Sequence, residues 1–372
     1  MRTRFQRWGG PAVAMLFAAC GSGPSGSAAP DGAADASPRD ADAAGAADGP
    51  ATPDSSAAPE APDAPADRVP DVAIETPPAG PFTEFDVPTP ASSPWGITLG
   101  PDGALWFTEL VAGKIGRITP AGAITEFAIP AATSDPFAIT AGPDGNLWFT
   151  EEYGGKIGRI TPAGALTEFD VPTKDPNLEG IAAGPDGNLW FTEADTNKIG
   201  RVTPTGTFTE FAIATPQSYP SYIVAGPDGN VWFTEAFGKV GYIKPGGQIT
   251  DYMCPSAGSG PVGIAVGPDG NLWFAEGAGH QIGRSTPAGL IAEFPVMPTG
   301  AASPVSLTKR ADGYLWITEQ MGNQLIRMTT AGEAKSYPLP TAHAFPALIV
   351  VGPDGNLWFT ESIGNKIGRL AP

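Results

Sequence analysis

Short apolar runs of five or six residues, separated by turn residues, fill the chain from about residue 82 onward, and no stretch carries helical periodicity. One segment displays the whole pattern. Gly180-Ile181-Ala182-Ala183 is small and branched, suited to a crowded innermost strand. Pro185-Asp186-Gly187 then supplies a turn, with φ preset by proline, a side-chain cap from aspartate and positive φ open to glycine. Leu189-Trp190-Phe191-Thr192-Glu193 is a β-rich second strand. Asp195-Thr196-Asn197 turns the chain into Lys198-Ile199-Gly200-Arg201-Val202 as the third. Pro204-Thr205-Gly206 turns it again into Phe208–Ile213, where apolar and polar residues alternate as in an exposed outer strand.

The same unit recurs seven times. The aspartate of the G-P-D-G-N-L-W-F-T-E frame falls at Asp102, Asp144, Asp186, Asp228, Asp269, Asp312 and Asp354, at spacings of 42, 42, 42, 41, 43 and 42 residues. A period in the low forties that holds only strand and turn signals predicts an all-β, seven-bladed β-propeller with four antiparallel strands per blade. The ends agree. Pro81–Val87 reads as a fourth strand ahead of the first repeat, and the chain stops at Lys366–Leu370, a third strand with nothing after it. The early strand is expected to complete the last blade, closing the ring at residues 80–372 and removing its free edges.

Composition sets the rest of the chain apart. Residues 1–19 have Arg2, Arg4 and Arg7 ahead of an apolar stretch from Pro11 to Ala19, as a secretory signal does. Leu16-Phe17-Ala18-Ala19-Cys20 resembles a bacterial lipobox, with Cys20 as the lipidated residue. Residues 20–79 are alanine, proline, aspartate, serine and glycine, a composition that reads as a disordered tether. From Gly21 to Ala79 eleven acids face Arg39 and Arg68, which is half of the formal net charge of −18. So acidic a chain is expected to bind no nucleic acid, to meet a membrane only through its lipid, and to sit as a monomer in a bacterial cell envelope, at the outer membrane, periplasm or cell surface. Cys254, if Cys20 takes lipid, has no disulfide partner and reads as a small buried residue.

Candidate chemistry lies in the lead-in loops before each G-P-D-G, which open onto the channel. A P-x-G-I frame recurs there while x varies: Trp95, Phe137, Glu179, Ser221 or Tyr222, Val262, Val305 and Ala347. A constant scaffold with one variable residue per blade is how a site is built on repeats. Trp95 is the only tryptophan outside the leader that the blade frame does not demand. It, Phe137 and Tyr222 are candidate contacts for a peptide, glycan or small amphipathic ligand, and Trp95 reads equally well as a plug of the channel mouth. Asp135, Asp175 and Glu179 could supply oxygen ligands to Mg2+ or Ca2+, or be solvated loop acids. The seven glutamates after W-F-T (Glu109, Glu151, Glu193, Glu235, Glu276, Glu319 and Glu361) read as structural, since one active site does not need sevenfold copies. In four blades a lysine (Lys114, Lys156, Lys198, Lys366) stands within hairpin reach of them.

The frame G-P-D-G-N-L-W-F-T-E followed by N-K-I-G-R-I-T-P-x-G-x-I-T-E-F resembles the virginiamycin B lyase (streptogramin B lyase) family over about Phe82 to Pro372. The resemblance implies a seven-bladed propeller and a Mg2+-dependent carbon–oxygen lyase that linearises cyclic depsipeptides by elimination at the ester. It also implies histidines at x in two late blades, one of them the general base. Those positions here hold Val262, Val305 and Ala347. A lyase reading would therefore rest on Glu179 and His343 as catalytic groups with Asp135 as a metal ligand. His280, in a second-to-third strand turn, is expected to lie away from the site. Binding without chemistry is the reading preferred from the residues.

Overall fold

The computed structural model describes residues 82–130, 134–296 and 302–371. Residues 1–19, Cys20 and residues 20–79, expected from sequence to be a signal, a lipidation site and a tether, lie outside the described residues. Twenty-eight strands form seven four-stranded antiparallel sheets, with no helix among the described residues. Six sheets run in sequence order, from the inner strand to the outer. In the first blade these strands are Pro94–Leu99, Leu105–Glu109, Lys114–Ile118 and Ile124–Ala128. The seventh sheet takes its outer strand from the other end of the chain. Phe82–Asp86 pairs antiparallel with Lys366–Leu370, from Phe82 opposite Leu370 to Asp86 opposite Lys366. Asn365 reinforces the seam, its amide donating to the carbonyls of Val87 and Thr89 while its oxygen accepts from Ser92.

The frame residues explain why every blade folds alike. All five residues of Leu105–Glu109 are buried, whereas the outer strand Ile124–Ala128 is only partly covered. Trp106 is fully buried, and its indole N–H donates to Asp102 at 3.0 Å. Phe127 stacks on one side of that indole at 5.5 Å, and the Arg117 guanidinium stands 5.9 Å from its centroid. Gly100 must be glycine, because a Cβ there would lie 2.4 Å from Trp106 Cδ1. Aspartate in G-P-D-G therefore does more than cap a turn: it satisfies the one polar atom of a buried tryptophan.

The lysines do not pair with the glutamates expected from hairpin distance. Lys114 instead reaches the outer-strand Glu126 at 2.9 Å, Lys198 reaches Glu210 at 2.8 Å and Lys366 reaches Glu84 at 3.1 Å. Glu126 also takes both the N–H and the hydroxyl of Thr89, so the outer strand of the blade is latched to its own lead-in loop. The W-F-T glutamates stay behind this latch, fully buried. Burial and the outer-strand acid push Glu109 up to about 7 and Glu151 up to about 8.

Candidate ligand site on the lead-in face

A threonine relay places the variable residues. Each inner strand has a bulge at x, where its ladder with the second strand skips register, as between Pro94 and Ile97. The threonine of W-F-T fills the gap. Thr108 accepts from Gly96 N–H at 2.8 Å and donates at 2.8 Å to the carbonyl of Phe137, the x residue of the next blade. Thr150 does the same for Glu179, Thr192 for Ser221, Thr318 for Ala347 and Thr360 for Trp95. The x residues of blades 7, 1, 2, 3 and 4 are thus strung on one hydrogen-bonded chain.

Side chains converge where the relay runs. Trp95 and Phe137 are buried against each other with ring centroids 5.5 Å apart, and Phe137 meets Tyr222 at 6.0 Å. Trp95 Nε1–H closes the triangle by donating to the Tyr222 hydroxyl at 3.2 Å, across the channel from blade 1 to blade 4. Tyr222 remains partly exposed. The three aromatic candidates are therefore one cluster, with Trp95 and Phe137 covered by their neighbours and Tyr222 at its edge.

Beside this cluster lies a group of acids. Glu179 is 2% exposed and accepts a hydrogen bond from the Ser221 hydroxyl. Burial, with a smaller contribution from Asp195, pushes its carboxyl up to about 7. Glu152, the first residue of the second-to-third strand turn of blade 2, is also buried. Burial comes first, then the charges of Glu179, Asp135 and Asp195, and they push it up to about 8. One sequence change brings these residues together. The frame proline is Leu178 in blade 3, and the Leu178 N–H, absent in proline, donates to the Glu152 carbonyl at 3.0 Å. Asp135 lends its own carbonyl to Glu152 N–H at 3.0 Å.

Glu152 was not among the residues singled out from sequence. The oversight was topological. Strands alternate in direction, so the second-to-third turns lie on the same face as the lead-in loops, and backbone hydrogen bonds join the two in every blade, as from Val111 N–H to Ser92 and from Gln320 N–H to Ser303. The signal was present: the residue after the W-F-T glutamate is Leu110, Glu152, Ala194, Ala236, Gly277, Gln320 or Ser362, acidic in one blade alone. His280 follows the same correction. It sits in such a turn and touches the carbonyl of Ala302 in the lead-in loop of blade 6, on the face that it was expected to avoid.

Other candidates stay apart. Asp175 is exposed beside Lys174, at 3.9 Å, and does not join Asp135 and Glu179. His343 is exposed in the lead-in loop of blade 7, with φ +57°. No group of three or more histidine, cysteine, aspartate or glutamate side chains among the described residues is arranged to hold a metal ion. Cys254 is buried and has no disulfide partner among the described residues, and burial pushes its thiol up.

Seven four-stranded blades, the last completed by the strand Phe82–Asp86, define a seven-bladed β-propeller. Sequence comparison narrows the class. The profile of the virginiamycin B lyase family matches residues 82–302 and 296–372, and the chain belongs to that family. A streptogramin B lyase structure is 37% identical, with a TM-score of 0.75 over 78% of this chain and 97% of that one. The virginiamycin B lyase of Staphylococcus aureus, solved also as a catalytically inactive histidine-to-alanine variant with quinupristin, is 38% identical, with a TM-score of 0.75 over 78% of this chain and 99% of that one. A virginiamycin B lyase of Saccharopolyspora erythraea is 60% identical over 35 residues, a match that spans only 9% of this chain and 12% of the relative's length.

Proposed function

We propose that this chain is an envelope-tethered, streptogramin-lyase-like propeller that binds a peptide, glycan or small amphipathic ligand over its channel mouth. The observation that carries this reading is the convergence of Trp95, Phe137 and Tyr222 beside Glu179 on one sector of the lead-in face. The tether and the Cys20 lipid would hold the ring at a membrane. A thermal-shift screen of cyclic depsipeptides, linear peptides and oligosaccharides tests it. At least one compound should raise the melting temperature, and Trp95→Ala should weaken that compound about tenfold or more, since a buried aromatic contact contributes about 1–3 kcal/mol. Unchanged affinity in Trp95→Ala and Tyr222→Ala would move the site elsewhere.

One observation favours a second reading, a carbon–oxygen lyase acting on a cyclic depsipeptide. Glu179 is buried at the mouth with a carboxyl near 7, in the range of a general base at neutral pH. It would take the proton from the carbon adjacent to the one that bears the ester oxygen, a carbon also α to an amide carbonyl; the C–H electron pair becomes the carbon–carbon double bond, the alkyl C–O bond breaks and the ester carboxylate departs. Mass spectrometry of a depsipeptide incubated with the protein and Mg2+ separates the readings. Elimination gives a new species of unchanged mass that Glu179→Gln does not produce, and an unaltered substrate counts against the lyase.

A further inference from the structure

We propose that the sector of blades 2 and 3 on the lead-in face receives the protonated amine of a compact amphipathic peptide. The amine would enter between Glu152, Glu179 and Asp195, and the peptide's apolar flank would rest on the rim of the same face. This rests on the ligand-binding reading above and names its ligand class.

The three carboxylates have no lysine or arginine ion pair among the described residues, although the outer-strand acids Glu126, Asp170, Glu210, Asp251 and Glu84 each have a lysine. Asn177 gives an independent sign. Its amide nitrogen donates to Asp195 at 3.2 Å, which fixes its head at the cluster, and its buried oxygen accepts from nothing. An acceptor-rich group that includes an unfilled amide oxygen calls for a ligand that donates several N–H bonds and carries positive charge. An ammonium does both.

The rim supplies the second half of the chemistry. Among the described residues seven large apolar or aromatic side chains are strongly exposed, and five of them occupy one position of the repeat, the tip of the second-to-third turn: Val111, Tyr153, Phe237, Met321 and Ile363. Ile363 is 60% exposed. Each tip follows a residue of its turn that is held beside a lead-in loop, so the five encircle the mouth. In blade 3 the tip is Asp195, an acidic gap in the apolar ring next to Glu152. An apolar ring with one acidic gap is complementary to a small apolar body with one cationic group.

The probe is a cyclic hexapeptide of phenylalanine and leucine residues with a single lysine, used with a free ε-amine and as its ε-N-acetyl form, in isothermal titration against the full chain. The free amine should bind at least tenfold tighter than the acetylated form. Glu152→Gln and Glu179→Gln should each remove most of that preference, with melting curves confirming that both variants fold. Ile363→Ser should weaken both forms alike. Equal binding of the two forms, failure of both to bind, or a preference untouched in both glutamine variants overturns the inference. The wider reading is judged separately, by the response of the screened compound to Trp95→Ala.

Discussion

Blades 1–4 and blades 5–6 are cut from the same repeat, yet they treat their lead-in residues differently. From blade 6 round to blade 4 the relay of threonine hydroxyls carries each inner strand to the next x residue, reaching Ala347, Trp95, Phe137, Glu179 and Ser221. It fails on either side of blade 5. Thr234 turns back to the carbonyl of its own Tyr222 at 3.5 Å, and blade 5 has Ala275 in the threonine slot. Val262 and Val305, the x residues beyond the break, are buried and apolar. Polar and aromatic side chains stand where the frame pins the backbone, and the sector that would hold the histidines implied by the family resemblance is filled with small apolar side chains. The difference separates two uses of one buried position: aromatic and polar groups that engage one another in blades 1–4, small apolar groups in blades 5–6.

Whether the two sectors are one folding unit is the first thing to break. Deleting residues 82–87 removes the outer strand of blade 7 and the seam held by Asn365. Cooperative folding of the whole ring should be lost, which calorimetry would read as the disappearance of a single transition. A surviving transition for blades 5–6 would show that the sectors are independent.

A smaller change sharpens the contrast. Thr192→Val strips the partner from the buried Gly180 N–H and the Ser221 carbonyl, at a cost of about 2–3 kcal/mol. Ala275→Thr, in the sector without the relay, should change stability by less than about 1 kcal/mol. Chemical denaturation measures both, and equal effects would remove the distinction.

The smallest effect is expected from charge. Glu152 and Glu179 have folded-state carboxyls raised to about 8 and about 7, chiefly by burial. Raised acids bind protons more tightly in the folded ring than in the unfolded chain. Their stabilising contribution is therefore present below about pH 4.5, and is lost as pH rises through 7 to 8. Glu109, Glu151 and Glu361 act in the same direction. The melting temperature should fall from pH 5 to pH 8. Glu152→Gln should flatten that slope and, at pH 8, stabilise by on the order of 1 kcal/mol. A steeper slope in the variant would contradict the assignment. In blade 6 the matching position is Gln320, whose buried amide has no hydrogen-bond partner, so the late sector has no equivalent charge to lose.

The blade count and the closure were legible because both are properties of periodicity: seven aspartates at a near-constant interval, one strand too many at the start and one too few at the end. Trp95 stood out as the tryptophan that the frame did not require, and it meets Phe137 and Tyr222 in space. Side-chain partnership was harder to read. Lys114 was matched to Glu109 by hairpin distance, but the outer-strand Glu126 lies closer to its ammonium and is less deeply buried. Glu152 escaped notice because it belongs to a turn rather than a lead-in loop, and because it is positioned through a backbone N–H that exists only where Leu178 replaces proline.

Hydrogen–deuterium exchange in the presence of the free-amine cyclic hexapeptide tests most directly whether the ligand site belongs to the early sector. Protection should rise in residues 134–137, 152–154, 177–181 and 219–222, and stay unchanged in 260–264 and 303–307. Protection confined to those last two segments would place the ligand over Val262 and Val305 and contradict the account.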